Sequence, residues 1–225
     1  SRPLAPSLGY NSVDENVGEL KNTGVEIDLK GTLIHTRDFM WRLGLNLTHY
    51  KNVVTDLPLK DMPVSGVHKL AVGRSVYDFY MKQWAGVDPE NGDPLWYKNV
   101  KDANDKITGR TTTNDYAQAD YYYTGKSSLP KVYGGFNTAF SYKGFELSTI
   151  FAYSIGNYIV DLDVTMLWHN GSSTGRAWST EILNRWTPEN RYTDVPALKT
   201  VSNSWNANST RNLFNNSFLR MKNIT

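Results

Sequence analysis

Apolar and polar positions alternate along much of this chain, most cleanly in two long runs joined by a short polar break. In residues 20–34, Val25, Ile27, Leu29 and Leu33 fall on one side and Glu26, Asp28, Lys30 and Thr32 on the other. After His35-Thr36-Arg37-Asp38, residues 39–54 repeat the pattern: Phe39, Trp41, Leu43, Leu45 and Leu47 oppose Arg42, Asn46 and Thr48. Strand side chains alternate sides, so each run predicts a β-strand with one apolar and one charged face. Strands this long, carrying Glu, Asp, Lys and Arg on one face, suit a membrane β-barrel with its apolar side to lipid and its polar side to water.

The same pattern predicts further strands at 64–72, 76–87, 131–142 and 145–160, and a last one from Ser217, where Leu219 and Met221 oppose Phe218, Arg220 and Lys222. Lys143-Gly144 between two alternating runs is a hairpin signal. In the second of these runs Phe145, Leu147, Thr149, Phe151, Tyr153 and Ile155 oppose Glu146, Ser148, Ala152 and Ser154. Residues 1–19, 88–129 and 161–216 read as loops, with a short helix at 179–186 ended by Thr187-Pro188, because the residue before proline disfavours the helical region. Turns at 35–38, 73–74 and 143–144 are short, whereas 88–129 and 161–216 are long. Short turns at one end and long loops at the other is the arrangement of outer-membrane barrels. A compact soluble domain rarely carries two connections of that length. The chain also stops inside a strand pattern at Asn223-Ile224-Thr225, as expected of a piece of something longer.

Composition narrows the function classes. The 24 basic and 22 acidic residues nearly cancel, and no Lys/Arg run forms a phosphate-binding stripe, so nucleic acid is not an expected partner. Zero cysteines remove disulfides, thiol catalysis and Cys-based zinc sites. No stretch of roughly 18 apolar residues predicts a membrane helix, but barrel strands need only about 9–11 residues, half of them polar. The 14 Tyr and 7 Trp suit membrane interfaces, or the binding face of a soluble sugar-binding β-domain.

Candidate chemistry is sparse. Asp88-Pro89-Glu90-Asn91-Gly92-Asp93 offers carboxylates that calcium would accept, but the spacing fits a turn better and no terminal Glu completes a ligand set. Asp102-Ala103-Asn104 begins like a calcium loop but has Ile107 where glycine is required. His35, His49, His68 and His169 have no ligand spacing, and no nucleophile elbow or phosphate loop exists, so no metal, cofactor or catalytic role is expected. Trp84, Trp96, Tyr116, Tyr121, Tyr122, Tyr123 and Trp168 fall in or near the long loops and are the candidates for ligand or lid contact, since aromatic faces stack on sugar rings. Phe39 and Trp41, at a strand start, are expected in an interface girdle, and Arg185-Trp186-Thr187-Pro188 in loop packing.

Several segments in order carry a resemblance. They are Val17-Gly18-Glu19-Leu20-Lys21-Asn22-Thr23-Gly24-Val25-Glu26, Phe39-Met40-Trp41 and Ala85-Gly86-Val87-Asp88-Pro89-Glu90-Asn91-Gly92-Asp93-Pro94. They continue with Leu129-Pro130-Lys131-Val132-Tyr133-Gly134-Gly135-Phe136, Arg185-Trp186-Thr187-Pro188-Glu189-Asn190 and Ser217-Phe218-Leu219-Arg220-Met221-Lys222. Together they resemble the C-terminal part of a SusC/RagA-type TonB-dependent outer-membrane transporter. The resemblance implies an all-β fold, antiparallel and up-and-down, forming part of a barrel of about 22 strands with long extracellular loops. Residues 1–225 would be a partial barrel domain of about seven strands, the fourteenth to twentieth, without the plug, the early strands or the last ones. It implies nutrient import rather than catalysis, with oligosaccharide or peptide substrates, a SusD-like surface lipoprotein and TonB as partners, and lipid around the wall. Glu26, Asp28, Lys30, Arg42, Asn46, Glu146, Arg220 and Lys222 would face the lumen. The alternative is a soluble β-rich carbohydrate-binding domain.

Overall fold

The computed structural model describes residues 2–3, 12–13, 18–58, 62, 64–169, 171, 175–199, 204 and 206–225. Most of the segment before Glu19, read as a loop, lies outside these residues, as does Val17. Fourteen strands are assigned: β1 Arg2–Pro3, β2 Ser12–Val13, β3 Glu19–His35, β4 Phe39–Asp56, β5 Asp78–Lys82, β6 Trp84–Val87, β7 Pro94–Lys101, β8 Ile107–Thr113, β9 Tyr121–Ser127, β10 Val132–Tyr142, β11 Phe145–Ile155, β12 Tyr158–Val160, β13 Leu213–Asn215 and β14 Phe218–Ile224. One α-helix, α1 (Leu162–Leu167), and short 3-10 turns complete the described structure.

The principal sheet has five strands in the order β14-β11-β10-β4-β3, every pair antiparallel. Each strand lies beside its predecessor in the sheet, so the chain meanders up and down. Its connections alternate as expected. The β3–β4 and β10–β11 turns are tight, while residues 57–131 and 156–217 form two large excursions at the opposite end. The second tight turn uses Lys143 and Gly144, both at positive φ (47° and 88°), which matches the right-handed twist of the flanking strands.

Away from its bulges, register sorts the side chains, because directly paired residues share a face. One row crosses the whole sheet as Leu29, Leu45, Phe136, Phe151 and Met221. The next row on that face is Ile27, Leu47, Gly134, Tyr153 and Leu219. The row between them, on the opposite face, is Asp28, Asn46, Gly135, Ala152 and Arg220. The apolar face is uncovered: Leu29 is 60% exposed, Leu219 65% and Phe145 82%. At its turn end sits an aromatic cluster in which the Trp41 ring stacks on Phe140 at 5.5 Å and the Trp41 Nε1–H donates to Thr138 Oγ1 at 2.8 Å.

The buried core lies mostly in the excursions, with Val54 at the end of β4 joining it. Trp96, Met81, Pro94 and Pro196 are all under 2% exposed, and Phe79 and Val195 are nearly as buried. Both excursions contribute, and they interlock. Tyr116 Oη donates to the Asn208 carbonyl at 2.8 Å, Trp84 N–H to Thr210 Oγ1 at 2.9 Å, and Ala197 N–H to the Gly92 carbonyl at 2.9 Å.

The structure corrects several readings of the sequence. The principal sheet has five strands, not seven. Residues 64–72 form only isolated bridges, Ser65 with His68 and His68 with Phe79. The run 76–87 breaks at Gln83 into β5 and β6, which pair with β9 and β7 inside the first excursion. Gly73-Arg74 is accordingly not a turn between wall strands: Gly73 N–H donates to the Val54 carbonyl and Val54 N–H to that of Arg74, docking the excursion on β4. The stretch 88–129 carries β7, β8 and β9 rather than plain loop. Short alternating runs have the same period whether they cross a membrane or pair with each other, so periodicity alone did not separate them. The 145–160 run divides at Gly156-Asn157 into β11 and β12. The helix at 179–186 is a 3-10 turn, Thr180–Asn184, capped by Ser179 Oγ.

Candidate functional site

Seven of the eight residues expected to share the polar face do so. Glu26, Asp28 and Lys30 on β3, Arg42 and Asn46 on β4, Glu146 on β11 and Arg220 on β14 all fall in polar rows. Lys222 departs, because the β11–β14 register slips at a β-bulge and Asn223 takes the position opposite Ile150. A bulge also displaces Leu33, so Ile34 stands opposite Trp41. Lys30 Nζ meets Asp28 Oδ2 at 3.3 Å with both side chains largely exposed, a geometry worth little energy in water. Asn46 Oδ1 accepts from Gly135 N–H at 2.8 Å, tying β4 to β10 from the polar side.

The aromatic candidates divide between core and cavity. Trp96 is fully buried, packed edge-on against Trp84 (5.7 Å) and Tyr116 (5.2 Å). Tyr122 is buried too, its Oη donating to Asn99 Oδ1 at 2.9 Å beneath the Arg110 guanidinium at 4.1 Å. Tyr121 and Tyr123 flank Tyr80 at 5.6 and 4.7 Å, and Tyr123 Oη donates to the Lys69 carbonyl. The buried Lys82 ammonium donates to the Tyr116 carbonyl and lies 4.1 Å from the centre of the Tyr116 ring. Burial pulls Lys82 below its ordinary pKa against the pull of Asp115 and Asp120, and it pushes the Tyr116 phenol up to about 12.

Trp84 and Trp168 alone of this set line a cavity of about 480 Å³. Its remaining polar walls are Arg211, Glu181, Asn184 and Asp194. Five short segments meet there, one of them carrying Asp194 and Val195. Trp84 starts β6, Trp168 caps the C-terminus of α1, Glu181 and Asn184 belong to the Thr180–Asn184 turn, and Arg211 sits in a 3-10 turn, Thr210–Asn212. That last turn is fixed by Ser209, whose Oγ accepts from Arg211 N–H, and by Asn212, fully buried, whose carbonyl accepts from Asp161 N–H. The guanidinium lies 4.2 Å from the Trp168 ring centre and 5.1 Å from that of Trp84. Sequence reasoning missed Arg211, Glu181 and Asp194. Each is an ordinary loop charge until folding brings 84, 168, 181, 194 and 211 together.

The acidic turns have local employment. Asp88 Oδ1 accepts from Glu90 N–H, and Asp93 Oδ1 meets Lys199 Nζ at 2.5 Å, joining the first excursion to the second. Asp102 Oδ1 accepts from Asn104 and Lys106 N–H in the β7–β8 turn. Among the described residues no group of three or more His, Asp or Glu is placed to hold a metal. Trp186 does pack, with its Nε1–H on the Pro89 carbonyl at 3.1 Å and its ring against Gly92.

A five-stranded meander, apolar and uncovered on one face and polar on the other, with tight turns at one end and packed excursions at the other, defines part of the wall of a transmembrane β-barrel. No protein-family model matches the chain. It is 30% identical over 210 residues to TonB-dependent receptor P26 of Formosa agariphila, covering 86% of this chain and 20% of that protein. Against TonB-dependent receptor SusC of Bacteroides thetaiotaomicron it is 27% identical over 159 residues, covering 64% of this chain and 15% of that one. The fold matches the solved RagAB peptide transporter with a TM-score of 0.80 and 31% identity, covering 99% of this chain and 24% of that chain. Sequence and fold together put the chain among the SusC/RagA-type TonB-dependent outer-membrane transporters, and its place is the outer membrane. It spans about a fifth of the length of the curated relatives it matches.

Proposed function

We propose that this chain is a stretch of barrel wall, with its extracellular loops, from an importer that carries oligosaccharides or peptides across the outer membrane. The observation that carries the reading is the two-faced sheet with alternating connections. An open edge cannot stand in lipid, so β3 and β14 pair with further strands of a larger barrel, of about 22 strands by the resemblance. The apolar rows face lipid. Glu26, Asp28, Lys30, Arg42, Asn46, Glu146 and Arg220 face the lumen, where they stay hydrated and meet a plug, while Lys222 sits at the β14 bulge. Residues 1–225 supply no catalytic group in this reading. The interlocked excursions are the surface against which a SusD-like lipoprotein closes, and TonB acts through parts of the protein beyond this wall.

The soluble sugar-binding alternative needs the apolar face covered, and the exposure of Leu29, Leu219 and Phe145 weighs against it. The importer reading is tested by uptake. Cells carrying the full-length protein take up labelled oligosaccharide or peptide, and uptake stops when TonB is removed. Uptake that persists without TonB contradicts the reading.

A further inference from the structure

The cavity between the excursions contains a half-buried charge that forms no ion pair among the described residues. Arg211 Nη1 is buried and has no hydrogen-bond partner among the described residues. Its guanidinium instead lies over Trp168 and Trp84. Burial pulls the group below its ordinary pKa, with Asp194 and Glu181 pulling the other way. Neither carboxylate forms an ion pair with it, and both are exposed. The cavity is therefore cationic within and anionic at its solvated edge. The half-buried guanidinium thus has a buried Nη1 donor left unsatisfied, and its planar fork matches a carboxylate better than any other common group.

The rest of the lining narrows the ligand. A simple anion would satisfy Arg211 but sit beside two further negative charges. A ligand bearing both signs satisfies all three. A neutral sugar would lack a charged acceptor for Arg211, and one face of Trp168, the usual platform for a sugar ring, is covered by the guanidinium at 4.2 Å. The volume of about 480 Å³ lies within the usual range of small-ligand sites. A zwitterion of about three residues spans roughly 10 Å.

We propose that this cavity is a subsite for short unblocked peptides, with the ligand carboxylate on Arg211 and its ammonium at Glu181 and Asp194. This rests on the importer reading and selects the peptide branch of it for this site. Trp84 and Trp168, with ring centres 5.1 and 4.2 Å away, restrict where the guanidinium can sit, so the carboxylate meets a positioned donor.

The test is calorimetric titration of the full-length protein in detergent with trialanine, its C-terminal amide, its N-acetyl form and maltotriose. Trialanine binds, and amidation weakens it at least about tenfold, the scale of one charge-assisted hydrogen bond. Acetylation weakens it by a smaller factor. Arg211→Gln removes the preference for the free acid, so acid and amide then bind alike, whereas Glu181→Gln with Asp194→Asn removes only the preference for the free amine. Should the variants fail to assemble, the four ligands on the unsubstituted protein still decide. Equal binding of acid and amide, or binding of maltotriose with no response to trialanine, overturns the proposal. A protein that inserts and imports but ignores all three peptides refutes this subsite and leaves the importer reading standing. A protein that does not insert refutes that reading instead.

Discussion

Replacing Leu45 by Arg puts the face assignment under direct strain. Leu45 lies in the apolar row between Leu29 and Phe136. It follows Phe39, in the aromatic cluster at the turn end, by six positions along β4. At ~3.4 Å per residue that is ~20 Å of strand, and a tilt of ~40° leaves ~16 Å of height. The apolar band of an outer-membrane barrel is ~25 Å tall, so Leu45 stands within a few Å of its midplane. An arginine there costs about 2–4 kcal/mol, against near zero at the interfaces. Ser148 is the control on the polar face. It is exposed, lies opposite Ala139, and stands three positions beyond Phe145, ~8 Å above the turn end and still within the apolar band. Ser148→Arg should shift stability by no more than about 0.5 kcal/mol, as at an ordinary hydrated site. The assay is equilibrium unfolding of the full-length protein in lipid vesicles with urea. Equal penalties for both variants, or the larger one for Ser148→Arg, would refute the assignment.

Three further outcomes follow from the excursions. Gly92 has a φ of +74°, and a Cβ there would lie 2.6 Å from Ala197 Cβ and 2.7 Å from the Trp186 ring, so Gly92→Val should separate the two excursions; proteolysis should reach residues around Trp186 far faster, and unchanged cleavage would count against the interlock. Asn52 is buried, donating to Asn22 and accepting from Ser75 Oγ and Val76 N–H, so Asn52→Leu should cost about 1–3 kcal/mol locally and speed hydrogen exchange at Val76. Burial tends to raise the Asp93 pKa, but hydrogen bonds from Lys199 and Asn114 outweigh it and hold the carboxyl below its ordinary 3.8. A lowered folded pKa gives stability that is complete above the unfolded value and lost as pH falls through the folded one. The clamp between the excursions should therefore hold at neutral pH and loosen below about pH 3.8, read as a rise in Trp186 exposure that Asp93→Asn shows already at pH 7.

The wall was legible because its signal is long. Over β3 and β4 the alternation runs for 17 and 18 residues, and no other structure sustains a period of two for that distance. The β10–β11 hairpin was legible because Lys143-Gly144 supplies the positive φ angles its turn requires. The excursions were not. β5 and β6 are only 5 and 4 residues long, and β5 pairs with the remote β9 while β6 pairs with its neighbour β7, so the same alternation was read as wall. Bulges at Thr32/Ile34 and near Lys222 shift register by one residue, which no composition announces. For the cavity, sequence placed Trp84 and Trp168 in a pool of loop aromatics but did not separate them from the buried Trp96 and Tyr122. It left Arg211 unnoticed, because a desolvated guanidinium is a product of tertiary packing.

The most direct test of the account is the accessibility of spin labels on single cysteines introduced along β4, from Arg42 to Thr48, in the full-length protein in lipid. The account predicts a period of two. Labels at positions 43, 45 and 47 should relax with lipid-dissolved oxygen, and those at 42, 46 and 48 with a water-soluble nickel complex. A run without alternation, or one in which Leu43, Leu45 and Leu47 meet the nickel complex, would contradict it.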